Sequence, residues 1–182
     1  MSATSILPTN REWFRHLISG RPHQVIGGPD DPYLRRWYLI PRNPLINVYL
    51  HQFLRSDDDR ALHDHPWWFV SLILRGEYEE ITGRYSENAK LRRRGSIAFR
   101  PAEWRHRVQL TRRPVPGRSI IEWPELPCWT LIVTGRRTRS WGFWCPNWVR
   151  SQYTRHGWER DGERFIHWRD FGDAGCGEID ES

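Results

Sequence analysis

Two histidines one residue apart, His63 and His65, stand directly before the run Pro66-Trp67-Trp68-Phe69-Val70-Ser71-Leu72-Ile73-Leu74-Arg75-Gly76. Side chains alternate between the faces of a β-strand, so residues at i and i+2 project to the same side and two imidazoles so placed can reach one metal ion. The apolar and β-forming residues that follow read as a buried strand, with Gly76 as its turn. The stretch is a chelating pair mounted on a buried strand.

The rest of the chain supplies strands to go with it. Tyr33 to Ile40 reads as a strand closed by Pro41, and Leu45 to Leu54 as a second, with Asn47, Tyr49, His51 and Phe53 on one face and Ile46, Val48, Leu50 and Leu54 on the other. Short β-rich runs recur at Glu77 to Thr82, Ser96 to Phe99, His106 to Leu110, Ser119 to Trp123, Cys128 to Thr134 and Ser140 to Cys145. Regular short strands without long helical patterns favour an all-β sandwich or barrel. Before them, Asn10 can cap a short helix over Arg11 to Ser19 that Gly20 ends, with Trp13, Phe14 and Leu17 as its apolar stripe. A length of 182 residues suits one domain. We divide it into a lead and helix over 1–32, a barrel over 33–145, and an irregular extension over 146–182 that packs on the barrel and frays at its end.

Composition narrows the class. Apolar residues make up only 38%, but 12 Trp, 7 Phe and 6 Tyr concentrate apolar area in few positions, which is globular rather than disordered. The formal charge is +6, carried almost wholly by arginine, since Lys90 is the lone lysine. Arg92-Arg93-Arg94, Arg112-Arg113 and Arg136-Arg137-Thr138-Arg139 fall at predicted turns, where solvated charge is the usual explanation; a GC-rich coding genome gives the same bias, so nucleic acid is the disfavoured partner. Cys128, Cys145 and Cys176 show no CxxC spacing, so no disulfide framework or zinc knuckle is expected and a reducing, cytoplasmic setting fits best. No segment approaches the ~20 apolar residues of a membrane span.

A third histidine ends Gly95-Ser96-Ile97-Ala98-Phe99-Arg100-Pro101-Ala102-Glu103-Trp104-Arg105-His106. A glycine turn, a strand, a proline turn and a returning strand place His106 beside the first pair. With this segment the chain resembles the cupin superfamily. His63, His65 and Gly76 fall at matching positions of the first cupin motif, and Gly95, Pro101 and His106 at those of the second. Asp57 stands where the leading glycine would be, Phe69 replaces the glutamate ligand, Glu103 replaces a glycine and Leu110 an asparagine. The likeness covers roughly residues 45 to 145.

The resemblance implies a small antiparallel double-stranded β-helix, or jelly-roll barrel, with one divalent metal held by His63, His65 and His106. Three-histidine cupin sites look like those of thiol and diketone dioxygenases. That makes Fe(II) the favoured ion, with Zn, Mn or Ni as alternatives, and a mononuclear non-haem iron dioxygenase-like oxidoreductase acting on a small molecule the expected function. A redox-neutral isomerase, lyase or hydrolase, and a non-catalytic module binding a small ligand or nucleic acid, are the competing readings; a homodimer is left open. Alternation from His65 keeps Trp67 and Phe69 facing inward, and with Trp104 they form the expected pocket wall. His51 and Tyr49 could serve as acid, base or substrate contacts, and Arg100 could clamp a carboxylate or phosphate, with Arg60 and Arg105 as weaker choices. Glu77, Glu79, Glu103 and Asp64 are nearby carboxylates, Asp64 being expected to point away from its flanking histidines.

Overall fold

The computed structural model describes residues 9–28, 30–57, 61–83, 87–150, 152, 158–171 and 176. Twelve strands follow a short helix α1 (Asn10–Ile18): β1 (Gln24–Ile26), β2 (Leu34–Tyr38), β3 (Asn47–Phe53), β4 (Leu62–His63), β5 (Phe69–Arg75), β6 (Glu77–Thr82), β7 (Asn88–Arg93), β8 (Ile97–Arg100), β9 (Arg107–Leu110), β10 (Cys128–Thr134), β11 (Gly142–Arg150) and β12 (Trp158–His167), with a last turn of helix α2 (Trp168–Phe171). They form three antiparallel sheets, ordered β1-β2-β3-β10-β5-β8, β7-β6-β9 and β12-β11-β4. This is the double-stranded β-helix that the motifs imply, with one short helix leading into it.

The alternation of β3 and β10 explains the large sheet. In β3, Asn47, Tyr49 and His51 are buried while Val48, Leu50 and Gln52 are not; in β10, Cys128, Thr130, Ile132 and Thr134 are buried and Trp129, Leu131 and Val133 less so. The register stacks the inward residues of neighbouring strands into cross-strand rows. One row runs Asn47, Thr134, Phe69, Arg100; the next Tyr38, Tyr49, Ile132, Ser71; the next Arg36, His51, Thr130, Ile73. Ile73, Tyr78, Val108, Leu110 and Cys128 join this sheet to β7-β6-β9 in one apolar cluster, and Tyr38, Tyr49, Phe69 and Ile132 form a second with Trp13 and Trp67 against it. At the turn from β5 to β6, Gly76 sits at φ 81°, and a Cβ there would lie 2.8 Å from the Pro127 carbonyl oxygen.

Several expectations need correction. The cap of α1 is Thr9, which makes a reciprocal capping box with Glu12, because its hydroxyl lies one residue ahead of the first helical position that Asn10 occupies. Within the helical stripe Trp13 packs on the barrel, its indole donating to the Tyr38 carbonyl at 2.7 Å, and Leu17 is half-buried, while Phe14 is half exposed. Arg92 and Arg93 belong to strand β7 rather than a turn, because Glu80 and Glu77 across the ladder neutralise them. Ser119 to Trp123 holds a turn of 3-10 helix, not a strand.

The extension is also more ordered than its composition suggests. β11 runs through Pro146 to Arg150 with a register shift beside Pro146, and pairs along its length with β12. The boundary drawn at 145 therefore falls inside a strand. Cys145 and Cys176 form a disulfide, against the expectation of free thiols; spacing alone hid it because the two residues meet only through the β11–β12 fold. Residues 1–8 and the expected frayed end beyond 171, Cys176 apart, lie outside the described residues. No helix among the described residues is long and apolar enough to cross a membrane.

Candidate metal centre

The three histidines arrive from three places and are locked by main-chain bonds. His63 ends β4, which pairs with β11; its amide donates to the His106 carbonyl at 2.9 Å, and the His106 amide donates back to its carbonyl at 3.0 Å. His65 lies outside any strand, its amide bound to the Ala102 carbonyl at 3.0 Å. The pair is thus not mounted on one continuous strand: β4 stops at His63 because the chain turns toward Pro66. The imidazoles still converge, with ring centroids 5.0 Å (His63–His65), 5.0 Å (His63–His106) and 5.1 Å (His65–His106) apart.

One nitrogen from each ring lies within 4.8 Å of the other two. Nε2 of His65 faces Nε2 of His106 at 2.9 Å. Two imidazole lone pairs cannot face each other so closely without a proton or a cation between them. Two adjacent ligands bound at ~2.1 Å and at right angles would stand about 3 Å apart, so this spacing fits a shared metal ion. Burial pulls the His63 imidazole down to about 4, against Asp57, which pulls it up; burial likewise holds His65 well below the usual histidine range, helped by the cationic neighbours it would face. Both rings are therefore neutral at physiological pH, the form in which histidine ligates.

Carboxylates stand behind two of the ligands. Nδ1 of His106 lies 3.2 Å from Glu80 Oε1, close enough for attraction though not aligned as a full hydrogen bond. Nδ1 of His63 lies 3.8 Å from Asp57 Oδ2, and Asp57 also accepts from the Tyr33 hydroxyl and, at 2.5 Å, from the Val108 amide. Glu80, 1% exposed, is the hub of the site. It binds Arg100 through Nε and, at 2.6 Å, through Nη2; Arg92 at 2.9 Å and 2.8 Å; and the Trp104 indole at 3.2 Å. Burial alone would push its carboxyl up, but the facing His106 and Arg100 groups outweigh that and hold it well below the usual carboxylate range. A carboxylate behind an imidazole fixes its tautomer and orientation and raises its basicity.

No family model and no curated protein matches this sequence. Among solved structures, the chain is similar to an uncharacterised protein with a double-stranded β-helix domain from Klebsiella pneumoniae, at 15% identity and TM-score 0.45, over 69% of this chain and 92% of that one. It is also similar to the polyketide cyclase RemF from Streptomyces resistomycificus, at 14% identity and TM-score 0.44 over 63% and 77% of the two chains, and to KdgF from Halomonas sp., at 13% identity and TM-score 0.43 over 64% and 90%.

Phe69 is buried with its ring edge-on to His65 at 4.6 Å and 5.8 Å from His106, and Trp67 packs in the same cluster. Trp104 is 39% exposed and turns its indole to Glu80. Tyr49 and His51 are buried inside the barrel with stacked rings, and Arg36 donates to His51 Nε2 at 2.8 Å. Arg100 is 1% exposed and engaged by Glu80, by Ser71 Oγ at 3.0 Å and by the Ala98 carbonyl at 3.2 Å. Asp64 binds Arg139 at 2.7 Å, the Gly142 amide at 3.0 Å and the Trp144 indole at 3.0 Å, on the side of β11. Arg105 lies outside the site, paired with Glu163 at 2.7 Å over the Trp144 ring. Arg60 lies outside the described residues.

Two residues of the site were not singled out. Glu77 and Glu79 were named as spare carboxylates, but the inward face of β6 carries Tyr78 and Glu80. Alternation from the aromatic Tyr78 was the signal that selects Glu80. Arg36, between the buried Leu34 and Tyr38 on β2, carried the same signal.

Proposed function

We propose that this chain is a metal-dependent enzyme of the cupin type that acts on a small molecule, with His63, His65 and His106 holding one divalent ion, Fe(II) first among the candidates. The observation that carries the reading is the set of three buried imidazoles whose nitrogens lie within 4.8 Å of one another, two of them neutral by burial and two backed by carboxylates. A bound ion would supply Lewis acidity and, if it is iron, one-electron chemistry with oxygen. Three neutral ligands bring no negative charge directly to the ion, which favours an anionic substrate or co-ligand.

In this reading the chain's own groups have distinct tasks. Glu80 takes the Nδ1 side of His106, so the lone pair on Nε2 is directed into the site. Arg100, with Arg92, keeps Glu80 ionised and fixed, which makes Arg100 a positioning residue rather than a substrate clamp. Phe69 and Trp67 close the side where a fourth ligand would stand and exclude water there. Tyr49 and His51 are the interior groups nearest to hand for a substrate; because His51 Nε2 accepts from Arg36, its proton is on Nδ1, where it can donate.

Metal analysis of the purified protein and of His63→Ala and His106→Ala tests the ligand set. Near-stoichiometric metal in the parent and its loss in both variants is expected. Anaerobic Fe(II) loading, followed by oxygen uptake with thiols, diketones and aromatic diols, tests the chemistry. Metal bound without oxygen consumption on any of them removes the oxidative reading and leaves the redox-neutral one; no metal in the parent after loading removes both.

A further inference from the structure

Two arginines enter the barrel from the large sheet, and only one has a counter-charge. Arg92, Arg100, Arg105, Arg112 and Arg139 each meet a carboxylate. Arg36 does not: among the described residues its guanidinium bonds only His51 Nε2, at 2.8 Å, and Gln24 Oε1, at 3.1 Å, and lies over the Tyr49 ring at 5.1 Å. A second cation, Arg42, lies over the neighbouring Tyr38 ring at 5.5 Å. Across the sheet in the same row stands Thr130, 1% exposed, whose hydroxyl has no partner. A buried hydroxyl left unbonded and a half-buried cation left unpaired are both costly, and both are satisfied by one ligand that accepts hydrogen bonds and carries negative charge.

We propose that the row Arg36, His51 and Thr130 is a recognition subsite for the carboxylate group of the small-molecule substrate. This deepens the metallo-enzyme reading and rests on it for the notion of a substrate, yet the subsite is made of groups that bind no metal. One guanidinium and one hydroxyl suit a singly charged carboxylate, which a planar fork of N–H donors matches in shape. Arg36 remains part-exposed although it belongs to an inward row, and its Nη2 donates to no described residue. The arrangement also explains why Arg100 is no clamp, since Glu80 already fills its fork.

The test uses the whole chain stripped of metal by chelation, so that a carboxylate cannot be held by an ion. Acetate and benzoate are titrated calorimetrically beside their neutral isosteres acetamide and benzamide, with inorganic phosphate as a further arm. The expected result is that a carboxylate binds and its amide binds at least ~10-fold more weakly, that phosphate does not bind, and that Arg36→Gln erases the preference by lowering carboxylate affinity about 10- to 100-fold while leaving the amide unchanged. A merely structural Arg36 would weaken acid and amide alike, and that outcome overturns the proposal. Thr130→Val, a nearly isosteric change, is expected to weaken the carboxylate about 3- to 10-fold and decides the matter should Arg36→Gln fail to fold. No carboxylate binding to the stripped parent, or phosphate binding alone, also overturns it. Loss of metal binding with the carboxylate preference intact would instead sink the metal reading and leave this one standing.

Discussion

The two polar regions inside the barrel are built on opposite rules. Around Glu80, every charge is answered: the carboxylate receives two guanidiniums, an indole and an imidazole, and Glu80, Arg100 and His106 are as buried as the apolar core. Around Arg36, on the far wall of the same interior, the cation has neutral partners and the nearby Thr130 hydroxyl has none. A satisfied network rigidifies what it holds, whereas a buried polar group without a partner is costly until something pairs with it. The difference assigns the first region to orienting ligands and the second to receiving one.

Breaking the satisfied region should have the largest effect. Glu80→Ala leaves Arg100 buried without a counter-charge, and removal of one partner from a buried pair costs about 3–5 kcal/mol. For a chain of this size that is a fall of roughly 10 °C in Tm, together with loss of metal, readable by calorimetry and elemental analysis. A change below ~1 kcal/mol would mean that the network is not what holds His106. Next comes Cys176→Ser. The bridge closes a loop of 31 residues in sequence separation, and such closure stabilises by about 3–4 kcal/mol in the chain-entropy account. Because neither cysteine is one of the three candidate ligands, urea unfolding should register the loss while the metal content stays at the parent level.

What could be read in the sequence, and what could not, follows the same division. His63, His65 and His106 were legible because motif spacing and turn residues are local signals, as were the strands of strict alternation, β3 and β10. Glu80 and Arg36 are set by alternation plus the choice of which face is inside, and charged residues are normally assigned outside. The run Arg164 to Trp168 reads as a short strand or helical turn, which the end of β12 matches, but the full length of β12 and the Cys145–Cys176 bridge were not legible because they depend on its pairing with β11 past the register shift at Pro146. The role of Phe69 was legible as a mismatch; its edge-on seat against His65 needed coordinates.

Acid sharpens the comparison further. The His63 imidazole is held at about 4 in the fold against an ordinary 6.5, so between those values the unfolded chain binds the extra proton and the folded one does not. Stability of the metal-free protein is therefore fully present above about pH 6.5 and falls as pH drops toward 4, by about 3 kcal/mol from this residue. His65 and His51, also lowered by burial, add loss in the same direction. Glu80, held below its ordinary range, begins to contribute only below pH 4.5, so the histidine loss should come first. Denaturant unfolding from pH 7 to 4 checks this, and a flat profile would mean that the rings are solvated rather than packed.

The smallest effect should come from the rim of the satisfied region. Trp104 is 39% exposed and gives Glu80 one hydrogen bond of 3.2 Å, while two arginines give it stronger ones. Trp104→Phe removes a neutral donor from a carboxylate that keeps its charged partners, so the loss should be about 1 kcal/mol, with metal content unchanged. If that single indole proved worth as much as Glu80 itself, the network would depend on its rim, and the contrast with the Arg36 side would rest on access to solvent rather than on matched charge.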